Sequence, residues 1–205
     1  ATRRGAHARG PAAIRAHSSA PVGGRLAIPD TPYEDGAEPG NTSLEVESRI
    51  TDRFFELARG DDFIGVQTYT RFRIGPEGPR SPGHDWSDWT REVDEADDTT
   101  QMGYEYFPQA LGNAIRRAWK STGGIPILVT ENGIATSIDE KRIAFIDTPL
   151  RPVQACIAEG IAVRSSLHWS LPDNFEWSDG YGKRFDILHV DFDTLERTPK
   201  SSARF

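Results

Sequence analysis

Apolar residues along this chain gather in four short runs, and between the runs they recur at helical spacing. Val22–Ile28 (VGGRLAI), Phe63–Tyr69 (FIGVQTY), Ile125–Val129 (IPILV) and Ile161–Leu171 (IAVRSSLHWSL) read as strands. Apart from Pro126, the third is uniformly β-branched or leucine, the pattern of a strand covered on both faces. Residues 6–16 predict a surface helix. Thr42-Ser43-Leu44-Glu45 has capping-box spacing, and Leu44, Ile50, Phe54 and Leu57 repeat at helical intervals until Gly60. Tyr104, Phe107, Leu111, Ile115, Ala118 and Trp119 mark one face of another helix, closed by Gly123-Gly124. A last helix begins at Asp139, and Pro149 with Pro152 predicts a break near Asp147–Pro152. Phe185–Phe192, followed by Asp193-Thr194, predicts a short hairpin.

Strands thus alternate with helices, the order of a parallel α/β layout. Four strands cannot close the usual eight-strand barrel. Residues 1–205 therefore read as one incomplete domain, with turn chemistry at 29–40 and a long loop at 70–102 that holds Trp86 and Trp89.

Composition narrows the partners. With 205 residues and 37% apolar content, the chain has enough material for a core. Its net charge of −7 argues against nucleic acid or an anionic membrane, which need a basic face, and favours a neutral ligand. Cys156 is the only cysteine, so no internal disulfide forms, and with no apolar run of spanning length the expected location is the cytoplasm. There is no glycine-rich phosphate loop and no His or Cys cluster at metal spacing, so neither cofactor nor metal is expected.

The candidate chemistry lies at the strand ends. Alternation along the third strand predicts that Ile127, Val129 and Glu131 share one face and that Leu128 and Thr130 share the other. Glu131 then projects from the carboxyl end of a parallel strand, where ligands collect, although spacing alone leaves a helix-capping role open. On the second strand Gln67 and Tyr69 share the face opposite Ile64 and Val66, and the fourth strand ends in Trp169. Asp173, Asn174, Glu176, Trp177 and Tyr181 follow closely. Carboxylates and amides that bond hydroxyls, interleaved with indoles that stack on C–H surfaces, suit a sugar ring. A packed tryptophan corner is the competing reading of the same residues.

Four stretches decide between these readings: DDFIGVQTYTR at 61–71, VTENG at 129–133, HWSLPDNFEW at 168–177 and GYGKRFDILHVDFDTLERTPK at 180–200. Together, and in this order, they resemble glycoside hydrolase family 1, the β-glucosidase family. The resemblance implies the carboxyl-terminal half, strands five to eight, of a (β/α)8 barrel. It also implies a retaining β-glycosidase acting on a β-glucoside or small oligosaccharide through a covalent glycosyl-enzyme. By position, Glu131 matches the nucleophile and Tyr69 the tyrosine that holds it in place and ionised. Trp169 matches the platform under the sugar, with a following peptide that is commonly cis. Glu176 matches the residue on the 4- and 6-hydroxyls, and Trp177 the indole reaching the 3-hydroxyl. Asn174 and Phe185 match lining positions.

Departures from the family pattern carry their own expectations. Gln67 stands where many members have Asn, and Pro172 where an aliphatic residue is usual. The Asn-Glu-Pro motif of the acid/base residue is absent, and Ala37-Glu38-Pro39, in a turn-rich loop after the wrong strand, is not assigned that role. This half alone is therefore expected to be a poor catalyst unless an amino-terminal half-barrel completes it. An open sheet exposes edges and apolar faces, which predicts association with that half or with itself. The alternative function is a non-catalytic sugar-binding half-barrel or a decayed fragment.

Overall fold

The computed structural model describes residues 2–40, 42–82, 95, 96 and 98–205. Trp86 and Trp89 lie outside the described residues. The chain runs α1 (Thr2–Arg15), β1 (Gly23–Ala27), α2 (Ser43–Ala58), β2 (Phe63–Gln67), β3 (Arg73–Gly75), β4 (Gly78–Arg80), α3 (Ala110–Thr122), β5 (Ile127–Asn132), α4 (Asp139–Ala158), β6 (Val163–His168), β7 (Leu188–Val190) and β8 (Arg197–Pro199). Strands β1, β2, β5 and β6 form one parallel sheet in that order, the expected half-barrel. The predicted carboxyl-terminal hairpin is β7 paired antiparallel with β8.

One face of the sheet is closed by helices. Ile64 and Val66 of β2 and Ile127 and Val129 of β5 are fully buried against Phe55, Leu111, Ile115 and Cys156. Each such aliphatic side chain contributes roughly 1.5–3 kcal/mol by leaving water. The start of α2 is fixed by its capping box, with Thr42 accepting from the Glu45 N–H and Glu45 accepting from the Thr42 N–H. Among the described residues, no helix is long and apolar enough to cross a membrane.

Four expectations need correction. Helix α4 runs unbroken through Pro149 and Pro152. Pro149 is buried, and the Pro152 ring lies over Gly112 of α3, where an added Cβ would come within 2.7 Å of the proline Cβ. Packing against α3 overrides the loss of two helical N–H donors. Helix α3 begins only at Ala110, so Tyr104 and Phe107 precede it; Phe107 lies 3.6 Å beneath the Arg71 guanidinium instead. The segment 70–102 is not all loop, since β3 and β4 pair as a hairpin that buries Ile74.

The fourth correction concerns β5. Val66 pairs with Val129, but the next residue, Gln67, pairs with Glu131. Thr130 is an extra residue in the ladder, and one extra residue reverses which face every later side chain takes. Glu131 therefore stands opposite Val129, on the face of Gln67, and not with Ile127 and Val129 as alternation predicted.

Candidate active site

Glu131 sits at the carboxyl end of the sheet with donors from neighbouring strands converging on it. Tyr69 Oη donates to Glu131 Oε2 at 2.7 Å, and Gln67 Nε2 donates to Oε1. An Arg25 guanidinium nitrogen on β1 lies 3.2 Å from the same Oε1. Each is a charge-assisted contact that fixes the carboxylate's orientation. Burial, and then the hydrogen bond to Glu131, push the Tyr69 phenol far above the ordinary tyrosine range, so it remains a neutral donor. Phe185, itself buried, meets the Tyr69 ring edge-on at 5.7 Å. Arg142 on α4, also buried, holds the Phe185 segment by donating to the carbonyls of Arg184 at 2.8 Å and Phe185 at 3.3 Å.

Residues after Glu131 seat the aromatic wall. Asn132 Nδ2 donates to the Thr68 carbonyl at 2.7 Å, and the Trp169 N–H donates to the Asn132 carbonyl at 2.9 Å. At Gly133 an added Cβ would lie 2.1 Å from the Trp169 carbonyl oxygen, so only glycine permits this approach. The Trp169–Ser170 peptide is cis. Trp169 Nε1 donates to Glu176 Oε2 at 3.3 Å. Burial raises Glu176 above the ordinary glutamate range, against the lowering effect of the Trp169 hydrogen bond. Trp177 adopts φ 45°, a costly left-handed conformation for an aromatic residue, and is 79% exposed.

These groups line one cleft of about 300 Å³. Glu131, Tyr69, Gln67, Trp169, Glu176, Trp177 and Phe185 all face it. Asn174 does not; its Nδ2 donates to Ser170 Oγ at 2.9 Å, on the far side of the Trp169 turn. Three further residues line the cleft that the sequence reading did not place there: Arg25, Met102 and Tyr104. Arg25 gave no signal in the sequence, because its place depends on register, which sets it beside Gly65, two residues before Gln67 on the neighbouring strand. Tyr104 was hidden by its coincidence with a helical repeat; burial pushes its phenol up to about 12. Among the described residues, no cluster of three His, Cys, Asp or Glu side chains could hold a metal.

Fold and cleft define a partial (β/α)8 barrel with its polar groups gathered at the carboxyl ends of the strands. The model of glycosyl hydrolase family 1 matches residues 38–205, and the chain belongs to that family. It is 32% identical over 209 residues to a β-galactosidase of Sulfolobus acidocaldarius, covering 91% of this chain and 42% of that protein. A 6-phospho-β-galactosidase of Staphylococcus epidermidis is 34% identical, with 88% and 40% covered. A crystal structure of a β-glycosidase superposes with a TM-score of 0.83 at 41% identity, over 98% of this chain and 45% of that one. The apo structure of a β-glucosidase gives 0.78 at 37% identity, over 98% and 46%. The chain thus spans less than half the length of the curated relatives it matches.

Proposed function

We propose that this chain forms the nucleophile-bearing part of a retaining β-glycosidase of β-glucosidase type. The supporting observation is the convergence of Tyr69, Gln67 and Arg25 on Glu131, beside an indole and a second carboxyl group in one cleft. Glu131 attacks the anomeric carbon, and the glycosyl-enzyme is then hydrolysed by water. Tyr69 aims the attacking oxygen. Trp169 carries the sugar's apolar face. Glu176 accepts from hydroxyls, and Trp177 adds an N–H donor. Gln67 bonds a hydroxyl next to the reacting carbon, and Phe185 backs Tyr69. Neutral β-glucosides are the assigned substrates.

A second reading, sugar binding without turnover, is favoured by one observation. Among the described residues the cleft carboxylates are Glu131 and Glu176, and Glu176 is tied to Trp169. Retention needs a general acid about 5–5.5 Å from the nucleophile, a contribution worth roughly 10²–10⁴-fold. We assign that residue to the other half of the barrel. The test is an aryl β-glucoside assay of this chain alone and mixed with the amino-terminal half of a family relative. Turnover that appears on mixing and is lost in Glu131→Gln supports the glycosidase. Glucose binding that weakens in Trp169→Ala, with no turnover in either arm, supports the binding module instead.

A further inference from the structure

Behind the Trp169 turn lies a buried pair of carboxyl groups that the chemistry above does not use. Asp186, 1% exposed, follows Phe185, and its Oδ1 accepts the Ser170 hydroxyl hydrogen bond. Ser170 is joined to Trp169, and its Oγ also accepts the Asn174 amide at 2.9 Å. The two segments are stitched by main-chain bonds as well, Ile187 N–H to the Ser170 carbonyl at 3.3 Å and Leu188 N–H to the Leu171 carbonyl at 2.9 Å. The other Asp186 oxygen, Oδ2, is buried with no donor facing it. A second acid, Asp173, acts on it.

Asp173 is already held as an anion. Its Oδ2 meets Arg184 at 2.7 Å, the Val190 N–H at 3.1 Å and His189 Nδ1 at 3.3 Å, and its Oδ1 meets Lys200 Nζ at 3.3 Å. Lys200 Nζ also donates to the Asp186 carbonyl at 2.7 Å, with the charge of Arg142 on α4 acting on it from beyond. A proton on Asp186 Oδ2 resolves the conflict: the acid donates to Asp173 while Oδ1 still accepts from Ser170. Burial chiefly, opposed by Ser170 and reinforced by Asp173, pushes Asp186 up to about 7.

We propose that Asp186 is a positioning residue that holds the Trp169 indole in the cleft through Ser170, and does so only while it carries the proton it shares with Asp173. This rests on the sugar-binding role given to Trp169 above. Loss of that proton sets two anions side by side behind the turn, and the turn shifts. Sugar affinity then falls as pH rises through neutrality.

The test follows the Trp169 indole N–H by NMR in the full chain, assigned with Trp169→Phe, between about pH 5 and about pH 9. Because Glu176 Oε2 accepts from that indole, the resonance is followed in a Glu176→Gln background; there it is expected to titrate near neutral pH with Asp186 present and to stay flat once Asp186→Asn is added, which keeps the acceptor for Ser170 but carries no titrating proton. Glucose binding, read by tryptophan fluorescence, should weaken about tenfold over the same range in the native chain and by less than about twofold in Asp186→Asn. Asp186→Ala should bind glucose about tenfold more weakly at both ends, with its fold checked by circular dichroism. The same titration in Asp186→Asn, or native affinity in Asp186→Ala, overturns the proposal. A resonance that titrates as described in a chain that binds no glucose refutes the proposed function and leaves the positioning role standing.

Discussion

The two faces of the four-stranded sheet obey different rules. The helix-facing side carries Ile64, Val66, Ile127 and Val129, all without exposure. The opposite face carries Arg25, Gln67 and Glu131, polar side chains that reach for one another at the strand ends. What separates them on β5 is one residue, Thr130, whose insertion turns the chain from core alternation to cleft alternation. Stability and chemistry are thus written on the same strands, one residue out of step.

Substitutions on either face sharpen that contrast. Glu131→Gln leaves the helix-facing core intact, and where the barrel is completed it should lower aryl β-glucoside turnover on the order of 10⁴-fold with an unchanged melting temperature. Ile127→Ala should do the reverse, costing about 3 kcal/mol in denaturant unfolding, while Leu128→Ala on the half-exposed face costs less than about 1 kcal/mol. Gly112→Ala, which drives a methyl into Pro152, should cost about 2 kcal/mol. Trp169→Ala should weaken glucose binding about tenfold with little change in unfolding.

A pH slope separates the two regions in another way. Asp186 rises from an ordinary 3.8 to about 7 on folding, so the folded state binds the extra proton. Stability from this group is complete below its unfolded value, declines as pH rises between the two values and is gone above about 7. Thermal melts should show that decline in the native chain and lose it in Asp186→Asn. A decline that persists unchanged in the variant would contradict the assignment.

Much of this arrangement was readable from residue order. The four strands, the capped helix α2 and the carboxyl-terminal hairpin follow from periodicity, caps and turns, because those signals are local. Seven of the eight site residues meet in one cleft. Asn174 falls outside that cleft because its hydrogen bond to Ser170 depends on the shape of a turn that no spacing rule describes. The Thr130 irregularity was hidden, since an inserted ladder residue leaves the hydrophobic pattern intact up to Val129 and only then reverses the face. Pro149 and Pro152 misled because the partner that accommodates Pro152, Gly112, lies forty residues away on another helix. Arg25 and Tyr104 were missed for a related reason: their importance arises from strands and loops brought together by the fold.

The central claim is that Glu131 is the attacking group. It is tested most directly by incubating the chain with a 2-fluoro-glucosyl fluoride, whose leaving group departs without a general acid and whose glycosyl-enzyme hydrolyses slowly, followed by peptide mass spectrometry. The account predicts one glycosyl ester, on Glu131, absent in Glu131→Gln. Labelling of a different carboxylate, or equal labelling of the variant, would contradict it.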